Sequence, residues 1–219
     1  MAVLVKICGI TTADAADAAV RAGADMAGLM FREGSPRNLT LEQAASLAGR
    51  MRGRIRLVAV AADPTDEMLS SVVTAMHPDF LQLHGAETPA RAAAIRARFA
   101  VPVIKVLSVA EPADLLAAAA HEDSADMLMF DAKAPAGAAR EGGHGVPFDW
   151  QILRGRRFSK PWLLAGGLTL DNVARAIGVS EAPGVDVSSS VESAPGVKSA
   201  EMIAAFVSSA RNARVGAAA

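Results

Sequence analysis

Short apolar runs alternate with Ala-rich stretches of helical period along the whole chain, eight times over. The runs are Val3–Ile7, Met26–Phe31, Ile55–Ala61, Phe80–Leu83, Pro102–Leu107, Asp126–Phe130, Pro161–Ala165 and Gly184–Val187. They are continuous and often β-branched, as strands buried on both faces should be. The stretches between them predict helices over Ala13–Ala22, Leu41–Arg50, Asp66–Met76, Thr88–Phe99, Pro112–His121, Phe148–Arg154, Leu170–Ile177 and Ser199–Arg211. Thr40 and Thr65 stand at capping positions of the second and third helices, and Asp149 near the start of the sixth. Gly23 suits the position just past the end of the first.

Alternating strand and helix implies a parallel sheet with right-handed crossovers. Eight units favour closure into an α/β single-domain (β/α)8 TIM barrel spanning residues 1–219. An open, doubly wound sheet fits the same pattern and is the rival. Residues 134–145 form the longest irregular stretch and read as a loop over a site. The tail from about 212 to 219 reads as frayed.

Side chains alternate between the two faces of a strand. If the apolar partners meet the helices, Lys6 and Cys8 point into the barrel, as do Gln82, His84, Asp131, Asp186 and Ser188. The same rule is expected to turn Lys105 inward. Cys8, His84, Asp131, Asp186 and Ser188 thereby gather at the strand exits, where barrels of this kind build their active sites. Taken singly, each has an ordinary reading. A lone cysteine is usually a small buried apolar residue, and a strand-end Asp usually a turn former. Their joint placement on one end is what points to chemistry.

Two turns suggest an anion site. Gly166-Gly167 follows the seventh run, and Ser188-Ser189-Ser190 follows the eighth. Glycine lets backbone N–H groups close on an anion, and barrel enzymes often bind phosphate with these two loops. No residues have P-loop or metal-ligand spacing. A phosphorylated small substrate is therefore expected, with no cofactor and no metal.

Bulk numbers narrow the rest. A net charge of −1 argues against a nucleic-acid or membrane-surface partner. One cysteine excludes an internal disulfide framework. No apolar stretch is long enough to span a bilayer, and no signal-peptide pattern opens the chain. These readings together predict a cytoplasmic protein. They do not bear on its assembly, which is expected to be a monomer or homodimer.

The chain also resembles a known family. Lys6-Ile7-Cys8-Gly9-Ile10-Thr11, Ser35-Pro36-Arg37, Gln82-Leu83-His84-Gly85, Phe130-Asp131, the 142–150 loop, Leu164-Ala165-Gly166-Gly167-Leu168 and Gly184-Val185-Asp186-Val187-Ser188-Ser189 with Val191-Glu192 follow the order seen in phosphoribosylanthranilate isomerases. That resemblance implies a (β/α)8 barrel and an Amadori rearrangement, the third step of tryptophan biosynthesis from chorismate. N-(5-phosphoribosyl)anthranilate would become 1-(2-carboxyphenylamino)-1-deoxyribulose 5-phosphate. By motif, Cys8 is similar to the family's general base and Asp131 to its general acid. Arg37 matches the group that receives the anthranilate carboxylate, with Arg32 a competitor on the same loop. Asp186 resembles the contact to the anthranilate nitrogen, and His84 lies in a substrate-facing motif. Gly166, Gly167, Ser188 and Ser189 fall in the phosphate cradle.

The chemistry needs an acid near the ring oxygen and a base at C2. Lys6, two residues before Cys8 on the same face, is expected to favour the thiolate. Three positions depart from the family pattern. His144 replaces a Ser or Thr, Ser190 stands where Gly is common, and Ser199 where Asp usually follows the lysine. Ser190 would strain its turn if φ > 0 were required there. The alternatives are another sugar-phosphate isomerase on the same scaffold, and an inactive phosphate-binding barrel acting as regulator or scaffold. Cys8 argues against the first. The joint presence of Cys8, Asp131 and Arg37 argues against the second.

Overall fold

Eight parallel strands pair in chain order and the last returns to the first, so the sheet closes and no edge remains. A computed structural model describes residues 2–133 and 147–213. The strands are β1 (Leu4–Cys8), β2 (Met26–Phe31), β3 (Arg56–Ala61), β4 (Phe80–Leu83), β5 (Val103–Val109), β6 (Met127–Ala132), β7 (Trp162–Leu164) and β8 (Gly184–Val187). The helices are α1 (Ala13–Arg21), α2 (Leu41–Met51), α3 (Asp66–Met76), α4 (Pro89–Phe99), α5 (Leu116–His121), α6 (Val173–Ser180) and α7 (Ala200–Asn212). A two-stranded antiparallel ribbon, β9 (Glu192–Ala194) and β10 (Val197–Lys198), follows β8. The open-sheet rival is thereby excluded. The expected loop at 134–145, with His144 in it, and the tail beyond 213 lie outside the described residues.

The expected caps form. Thr40 closes a capping box with Gln43, Thr65 accepts from the Met68 N–H, and Asp149 accepts from the Gln151 N–H. Gly23 takes φ +75° just past α1. Ser199, where the family pattern has Asp, caps α7 by accepting from the Met202 N–H, so the departure keeps the capping function. Three aspartates that immediately precede even-numbered strands work at the opposite end of the barrel. Asp25, Asp79 and Asp126 accept the N–H of Val5, Leu57 and Val103 at 2.7, 2.6 and 2.9 Å. Each ties the start of its own strand to the start of the one before.

Two apolar layers fill the molecule. Met26, Val58, Val60, Ile104, Val106, Met127, Met129 and Leu163 pack inside the barrel. A larger set, including Val5, Ile7, Leu81, Leu83, Leu128 and Phe130, packs between strands and helices.

Two expectations are corrected. Phe148–Arg154 holds no α-helix; only the 3-10 turn Trp150–Leu153 forms, ended at Arg154 before Gly155 with φ +68°. Lys105 points outward, not into the barrel. Ile104 pairs with inward Gln82 and Val106 with inward Met129, which sets the phase of β5. Its flanks are apolar on both sides, so hydropathy alone could not fix that phase.

Lys105 is instead buried behind the sheet with Glu87, Nζ to Oε2 at 2.6 Å, and it also donates to the Gly85 carbonyl at 2.7 Å. Burial alone would raise the Glu87 carboxyl, but Lys105 and the N–H groups around it win and hold it below its usual range. A carboxyl depressed in the fold stabilises above its unfolded pKa and loses that contribution as pH falls through the folded one. Removing one partner of a buried pair typically costs about 3–5 kcal/mol. Glu87→Gln is expected to lower stability by about that much. It should also flatten the acid limb of the stability–pH profile, read by urea denaturation between neutral and acid pH. Stability equal to wild type would refute the pairing as drawn.

Candidate active site

Every residue singled out at a strand exit lies at the same mouth of the barrel, because all eight strands run parallel. Around the ring β7 and β8 stand between β6 and β1. The Gly-Gly and Ser-Ser turns therefore sit between Asp131, on β6, and Cys8, on β1.

Cys8 is a free thiol, buried at the end of β1. Gly28 opposes it in β2, and a Cβ there would come within 2.9 Å of Sγ. Lys6 is fully buried one turn of the pleat below, with Nζ donating to Asp186 Oδ1 at 2.6 Å across the β1–β8 pair. Burial opposes the Lys6 charge, but Asp186 and Cys8 outweigh it and raise its pKa. Burial also dominates at Cys8 and pushes the thiol above its usual range, while Lys6 and Lys198 pull the other way. The expected effect of Lys6 thus has the right sign but does not prevail, because the cost of burying the thiolate is larger and the Asp186 carboxylate adds to it.

Asp131 projects inward from β6, with its Oδ2 3.2 Å from His84 Nε2. Gln82 Nε2 lies 3.4 Å from the other ring nitrogen of His84. An amide nitrogen only donates, so in this arrangement Nδ1 accepts and the imidazole proton lies on Nε2, toward Asp131.

The turn after β7 bends at Gly166 and Gly167, with φ of +83° and +64°. A side chain at Gly166 would meet the Ala132 nitrogen at 2.3 Å and Asp131 Oδ1 at 2.7 Å, so only glycine lets this turn lie against the acid. Asn172 holds it by donating to the Gly167 carbonyl at 2.9 Å. The second turn is fixed by Ser188 Oγ, which donates to the Cys8 carbonyl at 3.1 Å. Ser190 Oγ donates to the Leu168 carbonyl at 2.5 Å and joins the two turns. Ser190 is not among the non-glycine residues at positive φ, so serine fits there without strain.

Arg37 lies across the end of β1 from the β2–α2 loop. Gly9, at φ +77°, leaves room for it: a Cβ there would fall 2.4 Å from Arg37 Cδ. Its Nε and Nη2 both reach Glu192, at 2.7 Å each. Sequence assigns Glu192 and Lys198 no role: the first enters only as part of the family motif and the second only as the lysine before Ser199. Lys198 Nζ donates to Glu192 Oε1 at 2.6 Å and to the Ser188 carbonyl at 3.0 Å. Burial would raise the Glu192 carboxyl, but Arg37 and Lys198 bring it below its usual range. Burial lowers Lys198 despite Glu192. The ribbon that carries these two residues gave no periodic signal. Their roles come from contacts across the barrel seam.

Comparison with known proteins agrees along the length of the chain. A family model described as N-(5'phosphoribosyl)anthranilate (PRA) isomerase matches residues 5–209. The chain is 52% identical over 207 residues to the N-(5'-phosphoribosyl)anthranilate isomerase of Rhodopseudomonas palustris (strain BisA53), an overlap of 94% of this chain and 95% of that one. The crystal structure of phosphoribosyl anthranilate isomerase from Thermotoga maritima superposes with a TM-score of 0.85 at 32% identity, covering 95% of this chain and 98% of that chain. A crystal structure of phosphoribosyl anthranilate isomerase in complex with reduced 1-(o-carboxyphenylamino)-1-deoxyribulose 5-phosphate gives 0.82 at 31% identity, with coverage of 95% and 98%.

Proposed function

This chain belongs to the N-(5'-phosphoribosyl)anthranilate isomerase family, and from that membership we propose how its side chains divide the reaction. The enzyme is an isomerase of tryptophan biosynthesis that acts on a phosphorylated small molecule. It rearranges N-(5-phosphoribosyl)anthranilate to 1-(2-carboxyphenylamino)-1-deoxyribulose 5-phosphate.

One observation carries the division of roles: an acid and a thiol stand on either side of a glycine- and serine-built pair of turns. The 5-phosphate takes the turns, with Gly166 and Gly167 bringing backbone close, Ser188 and Ser189 adding N–H donors and Ser189 a hydroxyl. The sugar then spans the mouth, with its ring oxygen toward Asp131 and C2 toward Cys8. Arg37 receives the anthranilate carboxylate. Asp186, bound by Lys6 through Oδ1, meets the anthranilate nitrogen.

Protonated Asp131 gives its proton to the ring oxygen as the C1–O bond breaks, and the nitrogen lone pair forms the C1=N bond of an iminium. His84 donates Nε2–H to the carboxylate so formed. The iminium acidifies C2–H and adds a positive charge near the sulfur, which favours the thiolate that Lys6 and Lys198 already assist. Cys8 takes the C2 proton, the C2–H electrons form C1=C2, and the C1=N pair returns to nitrogen. The resulting enolamine gains a proton at C1 and loses one from the C2 hydroxyl, giving the ketone. We further read the protein as cytoplasmic, on its single unpaired thiol, and as a monomer or homodimer.

A fluorescence assay that follows loss of phosphoribosylanthranilate tests the activity. Arg37→Ala tests the binding mode. A guanidinium–carboxylate contact made equally in ground and transition states acts on KM. The variant is expected to raise KM at least about tenfold, since charged hydrogen bonds contribute about 1.5–3 kcal/mol, with kcat changed far less. An unchanged KM would refute the role.

A further inference from the structure

We propose that Glu192 is a positioning residue that sets the carboxylate specificity of the site by holding Arg37 in one orientation. The inference rests on the proposed role of Arg37. Glu192 comes from the ribbon after β8 and binds Arg37 through Nε and Nη2 only. That is the side edge of the guanidinium. The end edge, Nη1 with the second Nη2 hydrogen, is the pair of donors that matches a second carboxylate. Arg37 is thus presented to the ligand with its fork already aimed, and little rotamer freedom is lost on binding.

The clamp is itself fixed. Glu192 accepts from Lys198 at 2.6 Å and from the Gly196 N–H at 3.1 Å, and its side chain is 4% exposed. Lys198 binds the Ser188 carbonyl at 3.0 Å, and Thr11 Oγ1 binds the Gly196 carbonyl at 2.8 Å. The aryl end and the phosphate end of the substrate are therefore held by one connected set of groups. Gly9 completes it, because a side chain there would displace Arg37.

Charge and orientation make opposite predictions for Glu192→Gln. Removing a negative charge near the mouth should by Coulomb's law favour every anion. Loss of orientation should instead cost the carboxylate in particular. The test measures Kd for two probes on the same preparation: reduced 1-(o-carboxyphenylamino)-1-deoxyribulose 5-phosphate and its counterpart without the carboxylate. Their ratio does not depend on the folded fraction. Wild type is expected to prefer the carboxylated probe by about 10–100-fold. Arg37→Ala should bring that preference to near unity, and Glu192→Gln should reduce it at least fivefold. Glu192→Gln combined with Lys198→Met removes the stranded buried cation and should show the same reduction. If Arg37→Ala abolishes the preference but both Glu192 variants keep it, Glu192 only balances charge and the inference is overturned. If Arg37→Ala itself keeps the preference, the Arg37 assignment falls first, and the Glu192 inference with it.

Discussion

Replacing Cys8 with alanine is expected to cut kcat by at least about a hundredfold, and up to ten-thousandfold, the range for a lost general base. The fold should tolerate it, because Cys8 is a small side chain at a strand end beside glycine, and a methyl group leaves only the sulfur volume empty. The affinity for the reduced product analogue should stay close to wild type, so the loss is confined to proton transfer. The proposed base also carries a pH signature. The buried thiol is raised, so kcat/KM, which reports the free enzyme, is expected to climb with pH above the ordinary thiol range. In Lys6→Met that climb should move to still higher pH, because the ammonium that opposes the rise is gone. A Cys8→Ala enzyme with more than a tenth of wild-type kcat would end the assignment.

Asp131→Asn is expected to lose a comparable factor for a different reason. The amide keeps the shape and still offers an oxygen to His84 at the 3.2 Å contact. It has no acidic proton, so the ring oxygen must leave as an alkoxide or take its proton from water. The effect should again be about 10²–10⁴ in kcat. The partner of the acid then becomes testable: with no carboxylate to hold after proton transfer, a second change His84→Asn in the Asp131→Asn enzyme should add little. The same change in wild type should lower kcat. Additive losses in the double variant would show that His84 acts on its own, and retention of activity by Asp131→Asn would remove the acid role altogether.

Much of this site could be read along the chain because strand periodicity is a local property. Lys6 and Cys8 on one face, Asp131 in phase with Met127 and Met129, and Asp186 with Ser188 each needed only alternation and an apolar partner set. Lys105 failed the same test because Val-Ile-Lys-Val-Leu is apolar in both phases. Its direction is decided by register with β4 and β6, which are separate segments. The sixth expected helix failed through length. Trp-Gln-Ile-Leu is long enough for one 3-10 turn, and apolar spacing over so few residues does not distinguish that from an α-helix.

Contacts between distant residues could not be seen from sequence at all. Arg37 and Glu192 are 155 positions apart, and Lys6 and Asp186 are 180 apart. Nothing in either local pattern names the other. The chain alone determined where the strands lie, the polar faces of β1, β4, β6 and β8, and that Cys8, Asp131 and the two small-residue turns sit at strand ends, because these follow from short-range sterics and hydropathy. Closure of the barrel decided the rest. By seating β8 against β1 it gave Lys6 to Asp186, laid Arg37 over Gly9 into Glu192, and set burial against nearby cations at the one thiol, since charge balance inside a protein depends on which segments meet.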